Sequence, residues 1–577
     1  MLRKHVGIIA LVLAFALLAA SARAAAPSPA FGTRGMVVAS EAEAARAGRA
    51  MFERGGNAVD AAIATAFALA VTQPFSAGLG GGAFLLIRTA EGDVVAVDAR
   101  ETAPAAATRD MFRQPGVPEG ASLSGPLAVG TPGFVAGCAL ALERWGTLPL
   151  SEVVAPAVAL AKRGFPIGRY HARMIEFMRA RGLTQRFPDT ARIQFPSEGM
   201  AARPGWRLEQ PELAATLRRV AADGPGVFYT GDLAKAIVDA VKSRGGILTL
   251  EDLATYQPVI RQPLSGSYRG YAIHTFPPPS SGGVAIVEAL NILEGAELAP
   301  LGAGSSASVH RIAEALKLSF ADTLAFVGDP DFVSVPAAQL TEKPYAERLR
   351  ARIDPAWWRR APWRWLAGRE IAIRVEGPGL PANDAGTTHL STSDSAGNAV
   401  ALTMTINTPY GSGITAERTG VLLNNEMDDF AIAPDLPNIY GLPDTRGANA
   451  IAARKRPRSS MSPTIVEKDG ALFMVTGSPG GPRIVSTTLL SLLNVIDYGM
   501  DASQAVSAPR FHHQWAPDVL YLEPDTARDV ADALRARGHE VVVEKSEWSA
   551  AEAIVVDPDG AFWGGSDPRR DGLAAGF

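Results

Sequence analysis

Apolar positions along this chain repeat at the helical spacing in some stretches and at every second residue in others. Glu41 to Phe52 carries the helical pattern and runs into Gly55-Gly56, a stop signal for a helix. Asn57 then caps a second helix, Ala58 to Val71, which is apolar nearly all round and therefore predicted to be buried. Gly78-Leu-Gly-Gly-Gly82 leads into a strand at 83–87, and a turn at Glu91-Gly92 leads into another at 94–97. Between about 130 and 350, helical stretches at 150–163, 211–222, 231–242 and 309–326 alternate with Gly/Pro punctuation. Pro277-Pro-Pro-Ser-Ser-Gly-Gly283 reads as a rigid extended segment ending in a flexible turn.

The texture changes at 357–386. Trp357, Trp358, Trp363 and Trp365 sit among Arg359, Arg360, Arg364, Arg369 and Arg374, a pattern that suits an aromatic cluster with snorkelling arginines. Residues 377–386 are rich in Gly, Pro, Asn and Asp and read as an exposed linker. After the linker, strands dominate: 387–394, a Ser-Ala-Gly turn, then 398–407. In the second of these, Val400, Leu402, Met404 and Ile406 alternate with Ala401, Thr403, Thr405 and Asn407. If Asp394 pairs with Asn398 around the turn, Thr387 falls opposite Thr405 and shares its face. A slip of one residue would separate them.

Composition narrows the class. The chain has 577 residues, 47% hydrophobic and 20% charged, which is globular usage. Lys and Arg number 55 against 59 Asp and Glu, a net charge of −4. No basic excess is present to meet phosphates, so nucleic acid is not an expected partner. Arg3 and Lys4, the apolar run Ile8 to Ala20 and the small-x-small Ala22-Arg23-Ala24 form a secretory leader over 1–24. The expected mature protein is exported, periplasmic or secreted, and soluble; an uncleaved anchor is the alternative. Cys138 is the one cysteine, so no internal disulfide and no cysteine metal cluster can form. In its Ala/Leu surroundings it reads as a small buried hydrophobe. Gly78–Gly82 precedes a strand and so does not suit dinucleotide binding. His512-His513 lacks a second partner at metal spacing. Neither cofactor nor metal is expected.

Threonines favour strands and pair across them, which by itself explains Thr387 and Thr405. Position adds chemistry. Thr387 opens a strand directly after a Gly-ended linker. A hydroxyl needs a base beside it to act as a nucleophile. Cutting between Gly386 and Thr387 would create such a base, the new α-amine, with a pKa near ~8. Gly386 has no side chain to obstruct attack on its own carbonyl.

At these residues the chain resembles the γ-glutamyltranspeptidases, or glutathione hydrolases, of the N-terminal-nucleophile hydrolase superfamily. Before the linker the resemblance is carried by Gly56-Asn-Ala-Val-Asp-Ala-Ala62, Gly78–Gly82, Asp98-Ala-Arg-Glu-Thr-Ala-Pro104, Pro277–Gly283 and Gly328-Asp-Pro330. After it, the blocks are Thr387-Thr-His, Leu423-Asn-Asn-Glu-Met-Asp-Asp-Phe430, Arg456-Pro-Arg-Ser-Ser-Met-Ser-Pro463, Thr476-Gly-Ser-Pro-Gly-Gly481 and Ala508-Pro-Arg-Phe-His-His513. The resemblance implies an α+β fold, a four-layer αββα sandwich. It also implies a precursor that cuts itself after Gly386 into a large subunit (25–386) and a small catalytic subunit (387–577), which stay together as a heterodimer.

The implied donors are glutathione and other γ-glutamyl compounds, and the acceptor is water, an amino acid or a peptide. The resemblance makes Thr387 the nucleophile and Thr405 its positioning partner. It makes Gly480 and Gly481 the oxyanion hole, and Arg100 the residue that grips the substrate α-carboxylate. Asn407, Glu426, Asp429, Ser459 and Ser460 match the other contacts to the glutamyl head. Residues 434–449 match a lid loop, with Tyr440 as the lid aromatic. Taken together, acceptors for an ammonium (Glu426, Asp429) and donors for a carboxylate (Arg100, Ser459, Ser460) suit a zwitterionic amino-acid group. The alternatives are a related acylase for glutaryl-type side chains, which lack the α-amine, and a non-catalytic exported binding protein.

Overall fold

The computed structural model describes residues 26–197, 199–353, 386–433 and 437–577. The leader, the Trp/Arg stretch and the 377–385 linker lie outside them. Two seven-stranded antiparallel sheets make the centre. One runs in the order Ala30–Gly32, Phe562–Ser566, Glu552–Val556, Ala471–Gly477, Thr464–Lys468, Tyr271–Thr275, Leu264–Tyr268. The other runs Leu573–Gly576, Gly35–Ala39, Thr387–Asp394, Ala399–Thr405, Gly82–Arg88, Val94–Ala99, Val259–Arg261.

Strand alternation sorts the core into layers. Val37, Leu85, Ile87, Val400 and Leu402 face one set of helices, including Ala42–Glu53 and the wholly buried Ala58–Thr72. Their neighbours Met36, Val38, Phe84, Leu86 and Ala401 face the opposite sheet, where they meet Ile465, Val475, Ile554 and Phe562. Val466 and Met474, on that sheet's outer face, pack on the helices Ser281–Leu293, Ser306–Phe326 and Arg483–Ile496. Helix, sheet, sheet, helix is the αββα arrangement that the resemblance implied. No helix among the described residues is long and apolar enough to cross a membrane.

Strands from both sides of the linker pair with each other: Thr387–Asp394 lies between Gly35–Ala39 and Ala399–Thr405, so both sheets mix segments from either side of residue 386. A cut there would leave two chains sharing both sheets. The products are expected to co-elute in gel filtration, giving two bands only on a denaturing gel. The Pro277–Gly283 segment ends differently from the expectation. Gly282 and Gly283 form the first turn of helix Ser281–Leu293, capped by the Ser280 hydroxyl, not a flexible turn. A Cβ on Gly282 would lie 2.4 Å from the Ser460 carbonyl oxygen, and one on Gly283 would lie 2.0 Å from that of Phe276. The glycines permit close packing here, not flexibility.

Candidate active site

The hairpin forms in the predicted register, with Thr387 opposite Thr405 and Ser393 opposite Ala399. Thr387, His389 and Ser391 therefore point between the sheets, as do Thr403 and Thr405. Inside this dry layer their hydroxyls need partners. His389 Nδ1 lies 2.8 Å from the Thr403 hydroxyl, and burial pushes its pKa down to about 3, so the ring is neutral.

The Thr405 hydroxyl has a complete set of partners. It donates to the Gly386 carbonyl at 2.7 Å and accepts from the Asn407 amide at 2.8 Å. Its remaining lone pair faces Thr387 Oγ1 at 3.0 Å, so the Thr387 proton points at Thr405. Ile406 N–H gives the Gly386 carbonyl a second donor at 3.2 Å. Two donors draw electrons from that carbonyl carbon beside an oriented hydroxyl. A Cβ on residue 386 would lie 1.7 Å from the Asn407 carbonyl oxygen, so only glycine fits this conformation. Arg570, which the sequence reading missed, donates to the Thr387 carbonyl at 2.9 Å.

A pocket opens over Thr387, which is 5% exposed. Arg100, Thr405, Asn407, Glu426, Asp429, Tyr440, Ser459, Ser460 and Gly481 line it with Thr387, as expected. Gly480 is next to this lining without being part of it. Gly480 and Gly481 carbonyls accept from the amides of Arg483 and Ile484, at the start of helix Arg483–Ile496. In a trans peptide the N–H opposes the C=O, so the Gly481 N–H points away from the helix, and Gly481 lines the pocket. It also sits at the positive end of the helix dipole, which favours an oxyanion.

Arg100 follows the strand Val94–Ala99 and is fully buried. Its Nη1 bonds Glu426 and its Nη2 bonds Asp429. Burial opposes the guanidinium charge, but Glu426, Asp429 and Glu101 outweigh it and hold its pKa above the usual value. Glu101 was not anticipated. Burial pushes its pKa up to about 8 against the pull of Arg100. Burial also raises Glu426 well above the carboxylate range. Three carboxyls thus face one guanidinium, and burial favours the neutral form of each while Arg100 favours the charged form. Arg458 is a second missed cation, lining the pocket with its pKa lowered by burial to about 10.

Ser459 and Ser460 are set by the Pro277–Gly283 block. Ser459 N–H donates to the Pro279 carbonyl at 3.0 Å, and the Ser280 hydroxyl donates to the Met461 carbonyl at 2.7 Å. Asn407 lies past the strand end with φ +72°. Such a strained non-glycine backbone persists where the surroundings over-determine it. Here the Asn407 side chain donates to the Asn425 carbonyl at 3.0 Å and accepts from the Tyr440 hydroxyl at 2.7 Å. The Tyr440 ring lies against Gly481, where a Cβ would meet it at 2.8 Å.

With this ring in place about 30 Å³ stays free, room for a water or two. The ring and the Arg100 ion pairs together form the wall of this space. Of the lid loop, 434–436 lie outside the described residues. Tyr440→Phe loses one hydrogen bond, so KM for a γ-glutamyl anilide is expected to rise about 2- to 10-fold with a smaller change in kcat; steady-state kinetics check this.

Other features are structural. His512 bonds Ser486 and Gln514, each at 2.9 Å. Cys138 is buried, and burial raises its pKa, so the thiol is inert.

The family described as Gamma-glutamyltranspeptidase matches residues 44–577. A glutathione hydrolase proenzyme of Escherichia coli (strain K12) is 45% identical over 552 residues, covering 95% of this chain and 93% of its own. An acylase ACY 1 proenzyme of Pseudomonas sp. (strain V22) is 40% identical, covering 94% of each chain. Among solved structures, the cephalosporin acylase from Bacillus halodurans superposes with TM-score 0.82 at 29% identity, covering 96% of this chain and 98% of its own. Fold, register and relatives agree: the chain belongs to the gamma-glutamyltranspeptidase family.

Proposed function

We propose that this protein is a self-processing γ-glutamyl hydrolase/transferase acting on glutathione and related γ-glutamyl compounds. The observation that carries the reading is the Thr387 hydroxyl, oriented by Thr405 at the floor of a pocket whose charges complement an amino-acid zwitterion. In processing, Thr387 Oγ1 attacks the Gly386 carbonyl carbon and the peptide nitrogen leaves. The resulting ester is hydrolysed by water, yielding 25–386 and 387–577 with a free α-amine on Thr387. Thr405 and Ile406 polarise that carbonyl.

In turnover the α-amine takes the Thr387 hydroxyl proton as Oγ1 attacks the donor's γ-carbonyl. The Gly480 and Gly481 amides receive the developing oxyanion, an interaction worth about 3 kcal/mol per donor. The C–N bond breaks, and the departing amine takes the proton. Water or the amine of an amino acid or peptide then cleaves the γ-glutamyl ester. Arg100, with Ser459 and Ser460, holds the α-carboxylate; Glu426, Asp429 and Asn407 hold the α-ammonium; Tyr440 closes the pocket. The 1–24 leader supports export to the periplasm or medium.

The relatives include acylases, so kinship alone does not choose the substrate. A glutaryl group has no ammonium and would leave Glu426 and Asp429 buried without a cation beyond Arg100, an unfavourable arrangement. The test combines N-terminal sequencing of the smaller fragment with amine release from glutathione, a γ-glutamyl anilide and its glutaryl analogue. A fragment starting at Thr387 and release from the glutamyl compounds are expected. Release from the glutaryl analogue alone would establish the acylase. An uncut chain that releases nothing would leave a binding protein.

A further inference from the structure

Away from the pocket, two histidines from distant parts of the chain face one another. His310 lies near the start of helix Ser306–Phe326, with Glu314 four residues on and so on the same helix face. His539 follows helix Arg528–Ala536. His310 Nδ1 lies 2.9 Å from His539 Nε2. One ligand atom from each ring and one Glu314 carboxylate oxygen lie within 4.8 Å of one another. None of the three lines the active-site pocket.

We propose that His310, Glu314 and His539 form a binding site for one zinc-type divalent transition-metal ion. Two imidazoles and a carboxylate, with a fourth position open, make a recurrent zinc donor set. Imidazole also selects against calcium and magnesium, which take oxygen ligands. In a tetrahedral site with Zn–N of about 2.0–2.1 Å the nitrogens stand about 3.3 Å apart. The facing nitrogens therefore part by a few tenths of an ångström, and both rings turn off their shared axis toward the Glu314 oxygen.

Burial holds both rings neutral, pushing His310 down to about 4 and His539 to about 3. In the hydrogen bond between the rings one facing nitrogen carries a proton, which a metal ion would displace on binding. The neighbours are mixed. Arg311, Lys317 and Arg537 bring positive charge, and His513 and Asp518 lie close by. Lys317 stands 3.3 Å from Glu314 Oε1 but 2.6 Å from Asp518 Oδ1. It therefore keeps Asp518 when Glu314 turns to the ion. With this cationic surround, affinity must come from the imidazole bonds, which again favours zinc over a hard cation. The bound ion would clamp the helix Ser306–Phe326 to the segment that ends the helix Arg528–Ala536.

The test uses the whole protein, stripped by chelator dialysis and titrated calorimetrically with Zn²⁺, and separately with Co²⁺ while the visible spectrum is recorded. Expected are one equivalent of Zn²⁺, a Tm raised by zinc, and the absorption of tetrahedral Co²⁺. His539→Gln and Glu314→Gln should each weaken Zn²⁺ binding by at least about 10-fold. Both should keep γ-glutamyl hydrolysis, which reports that they fold. Absence of stoichiometric Zn²⁺ uptake, or uptake unchanged in both variants, would overturn the proposal and leave a simple imidazole–imidazole hydrogen bond.

Discussion

Thr387→Ala is expected to give a single uncut chain with no γ-glutamyl release. The substitution removes one methyl-sized group and one hydroxyl, so the strand and its neighbours should form as before. Thr405 would still donate to the Gly386 carbonyl at its 2.7 Å position, so a polarised carbonyl would face no nucleophile. Removing the nucleophile of an acyl-transfer site costs about 10⁶-fold in kcat, and the remaining donors recover only part of it. Here the loss is doubled in kind, because the same oxygen makes the α-amine available. Denaturing gels read the cut and a γ-glutamyl anilide reads the turnover. Cutting that persists in this variant would remove Thr387 from the mechanism. A cleaner partition comes from Thr387→Ser, which keeps the oxygen and should keep both steps, more slowly.

The second large effect is expected at Arg100. Arg100→Gln deletes the cation between Glu426 and Asp429 while all the surrounding groups stay buried. Breaking a buried pair by removing one partner costs about 3–5 kcal/mol, or about 10²- to 10⁴-fold in kcat/KM where the lost group also held the α-carboxylate. The same uncompensated carboxyls should lower Tm. Arg100→Lys should recover little of the rate, since an ammonium cannot span two carboxylates as the guanidinium fork does. The substrate dependence is the sharper readout. A glutamyl donor should lose far more than a γ-aminobutyryl donor, which keeps the ammonium but has no α-carboxylate for Arg100 to hold. Equal losses would mean that Arg100 organises the pocket without touching the substrate.

Much of the Thr387 setting was legible beforehand because its information is local. The Ser395–Gly397 turn length and the alternation from Val400 to Ile406 determine one register, and that register puts Thr387 beside Thr405. Helices 150–163, 211–223 and 231–242 were equally legible from their apolar spacing and their flanking glycines or prolines. The strand Gly35–Ala39 was not anticipated: it is buried on both faces and shows no alternation. The αββα layering came from resemblance, since periodicity says which face is apolar and not what covers it. Arg100, Glu426 and Asp429 were likewise named by resemblance; as isolated charges just past a strand and in a short 3-10 turn they carry no local signal.

What the sequence determined by itself is therefore short-range: where the strands start, which residues share a face, and that a threonine follows a glycine where a strand begins. What the tertiary structure decided is everything that depends on segments far apart in the chain. Arg570 reaches the Thr387 carbonyl across 183 residues. Glu101 becomes an acid with a pKa of about 8 because the fold buries it among other charges. His310 meets His539 across 229 residues. The physical reason is common to all three: a residue's spacing sets its direction, but its pKa, its partners and its access to solvent are set by which surfaces the sheets and helices bring against it.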